Sequence, residues 1–225
     1  MNRSICGFVI LFLSMLSAYA QDDVGTWISA EIMKPIGGRW QADASSELRL
    51  KDDFANVDRW QMSVNVNYKV SSILKVGAAY EFHLKNRQLT DGAEEWVPRH
   101  RLMADATLQV KVCSWLKLSL RERYQYTHMM AKSGIASTYE HHLRSRVKAD
   151  LSTHAAWSPY VFCEVFSRLD ADCHADEIRL AVGTTYAISS HRNLSFGYLL
   201  DAKDDGKSLF GKRNNIIQAS FIYKL

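Results

Sequence analysis

The chain has 225 residues, with 28 Lys and Arg against 24 Asp and Glu and a formal net charge of +4. That mild basic bias predicts no nucleic-acid partner, and 3 Pro with 11 Gly leave no low-complexity linker. Beyond the N-terminal segment, no apolar run approaches the ~20 residues of a transmembrane helix.

That N-terminal segment reads as a secretory signal peptide. Arg3 supplies a positive start, an apolar run extends from Ile5 to Leu16, and Ala18 and Ala20 precede an expected cut between Ala20 and Gln21. Residues 1–20 are therefore expected to be removed, leaving one domain over residues 21–225. Cys6 precedes the apolar run, so it is no lipid-attachment site. Of Cys113, Cys163 and Cys173 one pair could be oxidised, and the sequence does not choose which.

Residues 26–34 look like a strand, with Trp27 and Met33 on one face and Ile28, Ala30 and Ile32 on the other. From Arg39 onward the chain alternates with period two, which sends successive side chains to opposite faces of a strand. Trp40, Ala42, Ala44, Leu48 and Leu50 oppose Gln41, Asp43, Glu47, Arg49 and Lys51. Trp60, Met62, Val64, Val66 and Tyr68 oppose Arg59, Gln61, Asn65 and Asn67. Val76, Ala78, Tyr80 and Phe82 then oppose Glu81, His83 and Lys85, and Leu102 to Val112 oppose Arg99, Arg101, Asp105 and Lys111. The rule continues through Leu116–Tyr126 over Arg121 and Arg123, and through Leu143–Leu151 over Arg144 and Arg146. Ile178–Ile188 lie over Glu177 and Arg179, and Ile217–Leu225 over Gln218 and Lys224. In Pro159–Phe166 both faces are largely apolar.

A soluble sandwich also alternates, but its strands average ~5–6 residues, and these segments are about twice as long. Their polar faces are charged to mid-strand, where a sandwich needs a core. A membrane barrel inverts that logic, with apolar residues toward lipid and polar ones toward the lumen. It must close, because an open edge cannot satisfy its backbone groups in lipid. Connectors alternate short (Ser71–Ile73, Cys113-Ser114, Ser189–Arg192) and long (Asn86–Val97, Ala131–Thr138, Ala202–Lys212), matching periplasmic turns and outer loops. That topology sets Trp40, Trp115 and Trp157 at the periplasmic interface, and Trp60 and Trp96 with Tyr124, Tyr126 and Tyr139 at the outer one. Phe221, Tyr223 and Leu225 alternate to the C-terminus, similar to the terminal signal read by barrel-assembly machinery.

The predicted fold is an all-β, transmembrane antiparallel up-and-down β-barrel of ten to twelve strands. From Arg39 ten strands close with both ends periplasmic. Residues 26–34 would make eleven, and an even number is the bacterial habit, so ten and twelve both stay open.

Candidate site residues are the inward charges. Arg49, Arg59, Arg99, Arg101, Arg121, Arg123, Arg144, Arg146 and Arg179 recur on neighbouring strands, with Glu47, Glu81, Asp105, Glu140, Asp150, Glu164 and Glu177 available to them. They form either an ion-pair lattice that fills a narrow lumen or a pore that attracts carboxylates and phosphates.

Enzymatic readings lack a motif. His100, His128 and His141 lie near the outer rim, with Ser133 and Ser137 in a nearby loop, and Asp91, Glu94 and His100 offer a protease-like set. No activity is expected. Asp170, Asp172, Cys173, His174 and Asp176 are dense in ligand types but follow no metal spacing, and Ala202–Lys212 departs from the calcium-loop pattern. No metal or other cofactor is expected. The expected partners are outer-membrane lipid, the assembly machinery during biogenesis, and a small anionic solute.

Trp27, Arg39-Trp40 and Glu47-Leu48-Arg49, then Arg99-His100-Arg101, and Pro159-Tyr160 with Glu164 and Phe166, resemble an uncharacterised (domain-of-unknown-function) family of small Gram-negative outer-membrane barrels. The resemblance covers most of the chain after residue 20 and implies the barrel without implying an activity. More remotely, the arginine rows and the Phe221–Leu225 end are similar to small twelve-stranded porins for acidic sugars, from which no binding residue is carried over. The leading expectation is an outer-membrane protein acting as a narrow anion-favouring channel, or as a plugged structural barrel with a basic lumen. A surface-loop binding or adhesion protein is the alternative, and a rim-located hydrolase the third reading.

Overall fold

The computed structural model describes residues 24–88, 92–132, 135–153, 155–170, 173–204, 206, 208 and 211–225. The expected signal peptide and its cleavage site lie outside the described residues. Among those residues there is no helix, and eleven strands follow in chain order. They are β1 (Val24–Gly37), β2 (Trp40–Lys51), β3 (Asn56–Lys69), β4 (Leu74–Gln88), β5 (Glu94–Lys111) and β6 (Leu116–Met129). Then come β7 (Thr138–Leu151), β8 (Trp157–Arg168), β9 (Ala175–Ala187), β10 (Arg192–Lys203) and β11 (Lys212–Lys224).

Each strand pairs antiparallel with the next, and β1 closes the cylinder against β11. That closing pair is parallel, from Val24 opposite Asn215 to Met33 opposite Lys224. The expected even number gives way here, because the segment around 26–34 is a full wall strand and no twelfth accompanies it. When the strand count is odd, first and last strands run in the same direction, so only a parallel ladder can join them. Closure is the physical requirement, since every backbone group then finds a partner. The chain ends differ from the ten-strand expectation in the same way. The Val24 amide donates to Asp53 Oδ1 at 3.3 Å at the long-loop end, and the Leu225 amide donates to Met33 O at 2.9 Å at the short-turn end.

Strands of 12 to 18 residues carry the alternation, with register shifts at Pro35/Gly37, Arg49/Leu50 and Phe166/Ser167. Ile28, Val64, Leu102, Val147 and Ile217 point outward, each 49–56% exposed. Among the described residues nine hydrophobic side chains are buried while thirty-five large ones are exposed. A water-soluble monomer rarely shows a contiguous apolar patch larger than a few hundred Å²; this outer wall suits hydrocarbon instead.

The aromatic residues sit at the two rims of that wall. At the short-turn end Trp40 packs on Tyr68 and Trp157 on Tyr186, with ring centroids 4.7 and 4.6 Å apart, and Trp115 is exposed. Toward the long-loop end Trp60 Nε1 donates to Ser46 Oγ at 3.1 Å, while Trp96, Tyr124 and Tyr139 are exposed. Tyr223 shares the outward face with exposed Phe221 near the end of β11.

Strand β8 settles its own ambiguity. Val161 and Cys163 face outward, whereas Tyr160, Phe162, Glu164 and Phe166 line the lumen. Tyr160 lies opposite Gly183, which lies opposite Gly197 on the next strand. A Cβ at Gly183 would come within 2.5 Å of the Tyr160 ring, and one at Gly197 within 2.7 Å of its hydroxyl. The two glycines thus make the shelf on which the ring rests.

Candidate functional site

A cavity of about 1490 Å³ runs from the long-loop mouth to mid-barrel. Strand pleating points alternate residues into it, so the inward positions of every strand contribute. It is lined by all nine arginines singled out above, together with Glu47, Glu81 and Glu164. Seventeen Arg and Lys against ten Asp and Glu line it in all, so the cavity wall is distinctly cationic. A smaller cavity of about 300 Å³ lies toward the short turns. Glu31, Arg121, Arg123, Arg146 and Lys148 line both, which puts them at the neck between the two.

The wall from β5 to β10 is an ion-pair lattice built by register. Arg121, Arg146, Glu164, Arg179 and Asp201 follow one another across successive strands, as do Asp105, Arg123, Arg144, Phe166 and Glu177. Glu164, 2% exposed, accepts from Arg121 Nη2 at 2.6 Å and from Arg144 Nη2 at 3.1 and 3.2 Å. Asp105 accepts two bonds from Arg123, one of them at 2.7 Å from Nη2. Arg179 is held by Glu177 at 2.5 Å and Asp201 at 3.1 Å. Low exposure makes each such pair costly to break, because the survivor stays buried without compensation.

Aromatic rings complete this lattice, and they are the lumen residues that sequence alternation alone missed. Phe166 lies between the guanidinium carbons of Arg144 and Arg179, at 4.3 and 4.5 Å from its ring centroid. Trp27 lies between those of Arg49 and Arg179, at 3.6 and 5.1 Å. Arg146 stands 5.3 Å above Phe162, and Lys148 Nζ 4.7 Å above Tyr160. Cations are attracted to ring faces by about 0.5–2 kcal/mol, more when desolvated. One signal was available: Glu164 must face the lumen, and Phe162 and Phe166 lie two positions either side of it on the same strand face.

The wall from β3 to β5 is different. Arg101 pairs with Glu81 at 2.6 Å, and Asp58 is shared by Lys85 at 3.3 Å and Arg59 at 3.5 Å. Beside them Gln61, His83 and Arg99 stand directly opposite one another on β3, β4 and β5. They are 9%, 0% and 7% exposed. Gln61 Oε1, both His83 ring nitrogens, Arg99 Nε, Arg59 Nε and Arg87 Nε are buried with no hydrogen-bond partner. On the other wall Arg121 Nε, His142 Nδ1, Arg144 Nε, Asp176 Oδ1 and Thr184 Oγ1 also lack a partner, but the Nη groups of Arg121 and Arg144 are bound to Glu164, whereas Arg99 makes no ion pair among the described residues.

The rim histidines lie on the outer face of the barrel, away from this lumen. His100 bonds Tyr80 Oη and His141 bonds Tyr124 Oη, each at 2.7 Å. His128 Nε2 lies 3.0 Å from Ser137 Oγ, which itself donates to Met129 O at 2.9 Å. Asp170 is bound to Arg168 and Asp176 to His142, so the dense ligand set of that loop is drawn apart. Asp91, Ser133 and Asp172 lie outside the described residues.

The chain belongs to a family described as protein of unknown function (DUF2490), whose model matches residues 24–208. No curated relative matches the sequence. Among solved structures the chain is similar to the NanC porin, at 13% identity and a TM-score of 0.49 over 88% of this chain and 95% of that one. It is similar to the translocator domain of autotransporter NalP from Neisseria meningitidis, at 14% identity and a TM-score of 0.49 over 76% and 71% of the two chains. The beta domain of the Bordetella autotransporter BrkA gives 12% identity and a TM-score of 0.45 over 83% and 82%.

Proposed function

We propose that this DUF2490 chain is an outer-membrane β-barrel forming a narrow channel that favours small anions. The observation that carries the reading is the excess of seventeen basic over ten acidic side chains around the main cavity. A cationic wall raises the local concentration of anions and repels cations, and a narrow lumen with low-dielectric walls strengthens that field. The apolar outer wall and its aromatic rims support insertion in a bilayer. Export through a signal peptide cut after Ala20 and assembly by barrel-insertion machinery belong to the same reading. No enzymatic step is part of this reading.

At the neck Arg146 is the side chain on which selectivity turns. Arg121 and Arg123 there are neutralised by Glu164 and Asp105, whereas Arg146 makes no ion pair among the described residues and rests on Phe162. The test is single-channel recording on the refolded chain in a planar bilayer under a potassium chloride gradient. Stable steps with a reversal potential on the chloride side, moved toward the potassium side by Arg146→Glu, are expected. A folded barrel with no conductance would overturn the channel and leave a plugged structural barrel.

A further inference from the structure

We infer that the β3–β5 wall of the main cavity is a binding site for a small oxyanion that also carries a hydroxyl group, with phosphate its simplest member. This deepens the anion-channel reading by naming what the lumen recognises, and it rests on that reading.

The unpartnered groups on this wall define the ligand. Arg59, Arg87 and Arg99 each bury an Nε–H with no acceptor. An N–H donor of a guanidinium calls for an anionic oxygen, and its planar fork fits carboxylate or phosphate better than a spherical halide. Gln61 Oε1 asks for the reverse, a donor, because an amide oxygen can only accept. Asn86 Oδ1, which also borders the cavity, asks for a donor in the same way. A ligand that completes the wall therefore brings acceptor oxygens and at least one O–H. Monohydrogen phosphate has both, and so do phosphorylated or carboxylated polyols.

Placement supports the same conclusion. Gln61, His83 and Arg99 occupy one continuous row across three adjacent strands, with Arg59 and Lys85 opposite each other in the next row. Gln61, Arg59, Lys85, Arg87 and Arg99 all border the cavity, and His83 lies behind Gln61 and Arg99 in the same row. No carboxylate forms an ion pair with Arg99 among the described residues. Asp58 is committed to Lys85 and Arg59, Glu81 to Arg101, and Glu95 reaches Lys132 at 2.5 Å. Glu140 borders the same cavity without an ion pair among the described residues and stands opposite Thr127, not in this row. Leaving buried polar atoms unpaired costs ~1–3 kcal/mol each, and a ligand in the cavity would relieve those of Arg59, Gln61, Asn86, Arg87 and Arg99, all of which border it.

The test is isothermal titration calorimetry on the refolded barrel in detergent micelles, in chloride buffer near neutral pH, with inorganic phosphate and with sulfate. Phosphate is expected to bind, and sulfate, which has no O–H at that pH, to bind about tenfold more weakly, as the loss of one charged hydrogen bond implies. Arg99→Gln should weaken phosphate by about tenfold on the same ground, while Lys75→Gln, which borders only the smaller cavity toward the short turns, leaves it unchanged. Gln61→Leu, which removes no charge, should erase the preference of phosphate over sulfate. No heat with phosphate, equal binding of sulfate, or equal loss in Arg99→Gln and Lys75→Gln would overturn the site. The readout needs no current, so a barrel that conducts without binding phosphate overturns the site alone. One that binds without conducting overturns the channel alone.

Discussion

Two stretches of one inner wall carry arginine at similar density and treat it differently. From β5 to β10, carboxylates and guanidinium groups share the register rows, with Arg121 opposite Arg146 and Arg123 opposite Arg144, and aromatic rings stack on the guanidinium groups. Glu164 alone gathers Arg121 and Arg144, and Arg179 is held by two acids and faces two rings. From β3 to β5, Arg99 has no acid and Arg59 shares one with Lys85, while Gln61 and His83 keep polar atoms with no partner. The contrast teaches that inward charge alone does not define a lumen. Guanidinium groups bound to carboxylates are internal structure and stiffen the wall, whereas Arg99, which makes no ion pair among the described residues, is open to whatever enters.

The largest expected effect is on the saturated side. Glu164→Gln leaves Arg121 and Arg144 buried together without their shared acid, and should lower stability by about 3–5 kcal/mol, read as the urea midpoint of the detergent-solubilised barrel. A loss below about 1 kcal/mol, the level of a surface ion pair, would mean that the lattice does not hold the wall. Gly183→Ala tests the aromatic part of the same lattice. Its Cβ would meet the Tyr160 ring and the Phe196 carbonyl, each within 2.5 Å, and overpacking of this kind costs about 1–3 kcal/mol. The smallest effect belongs to the other wall. Arg99→Gln removes a buried charge that makes no ion pair among the described residues, so stability should stay within about 0.5 kcal/mol or rise. A destabilisation as large as that of Glu164→Gln would erase the distinction between the two walls.

Much of this architecture was legible before any coordinates. Long period-two segments, short turns alternating with long loops, and aromatic residues at the segment ends describe the barrel. The inward arginines follow from parity alone, because a pleated strand leaves a side chain only two directions. Strand parity was harder. Residues 26–34 read as a strand, but a parallel seam between β1 and β11 is set by the total count, which no local pattern encodes. Pro159–Phe166 was opaque for a different reason. Its inward Phe162 and Phe166 are apolar residues in a polar lumen, and only their contacts with Arg146, Arg144 and Arg179 explain why they face inward. Which arginines are paired was also beyond the sequence. That depends on cross-strand register, and one residue of slip would exchange the inner and outer faces.

The most direct test of the two-wall account is the reversal potential of single channels in a potassium chloride gradient, compared between two double variants. Arg144→Gln with Glu164→Gln deletes a matched pair from the saturated wall and should leave the chloride-side potential where the unaltered protein has it. Arg59→Gln with Arg99→Gln strips the unsaturated wall and should move the potential toward zero. Equal shifts in the two double variants, or none in the second, would contradict the claim that the β3–β5 wall is where this barrel meets its solute.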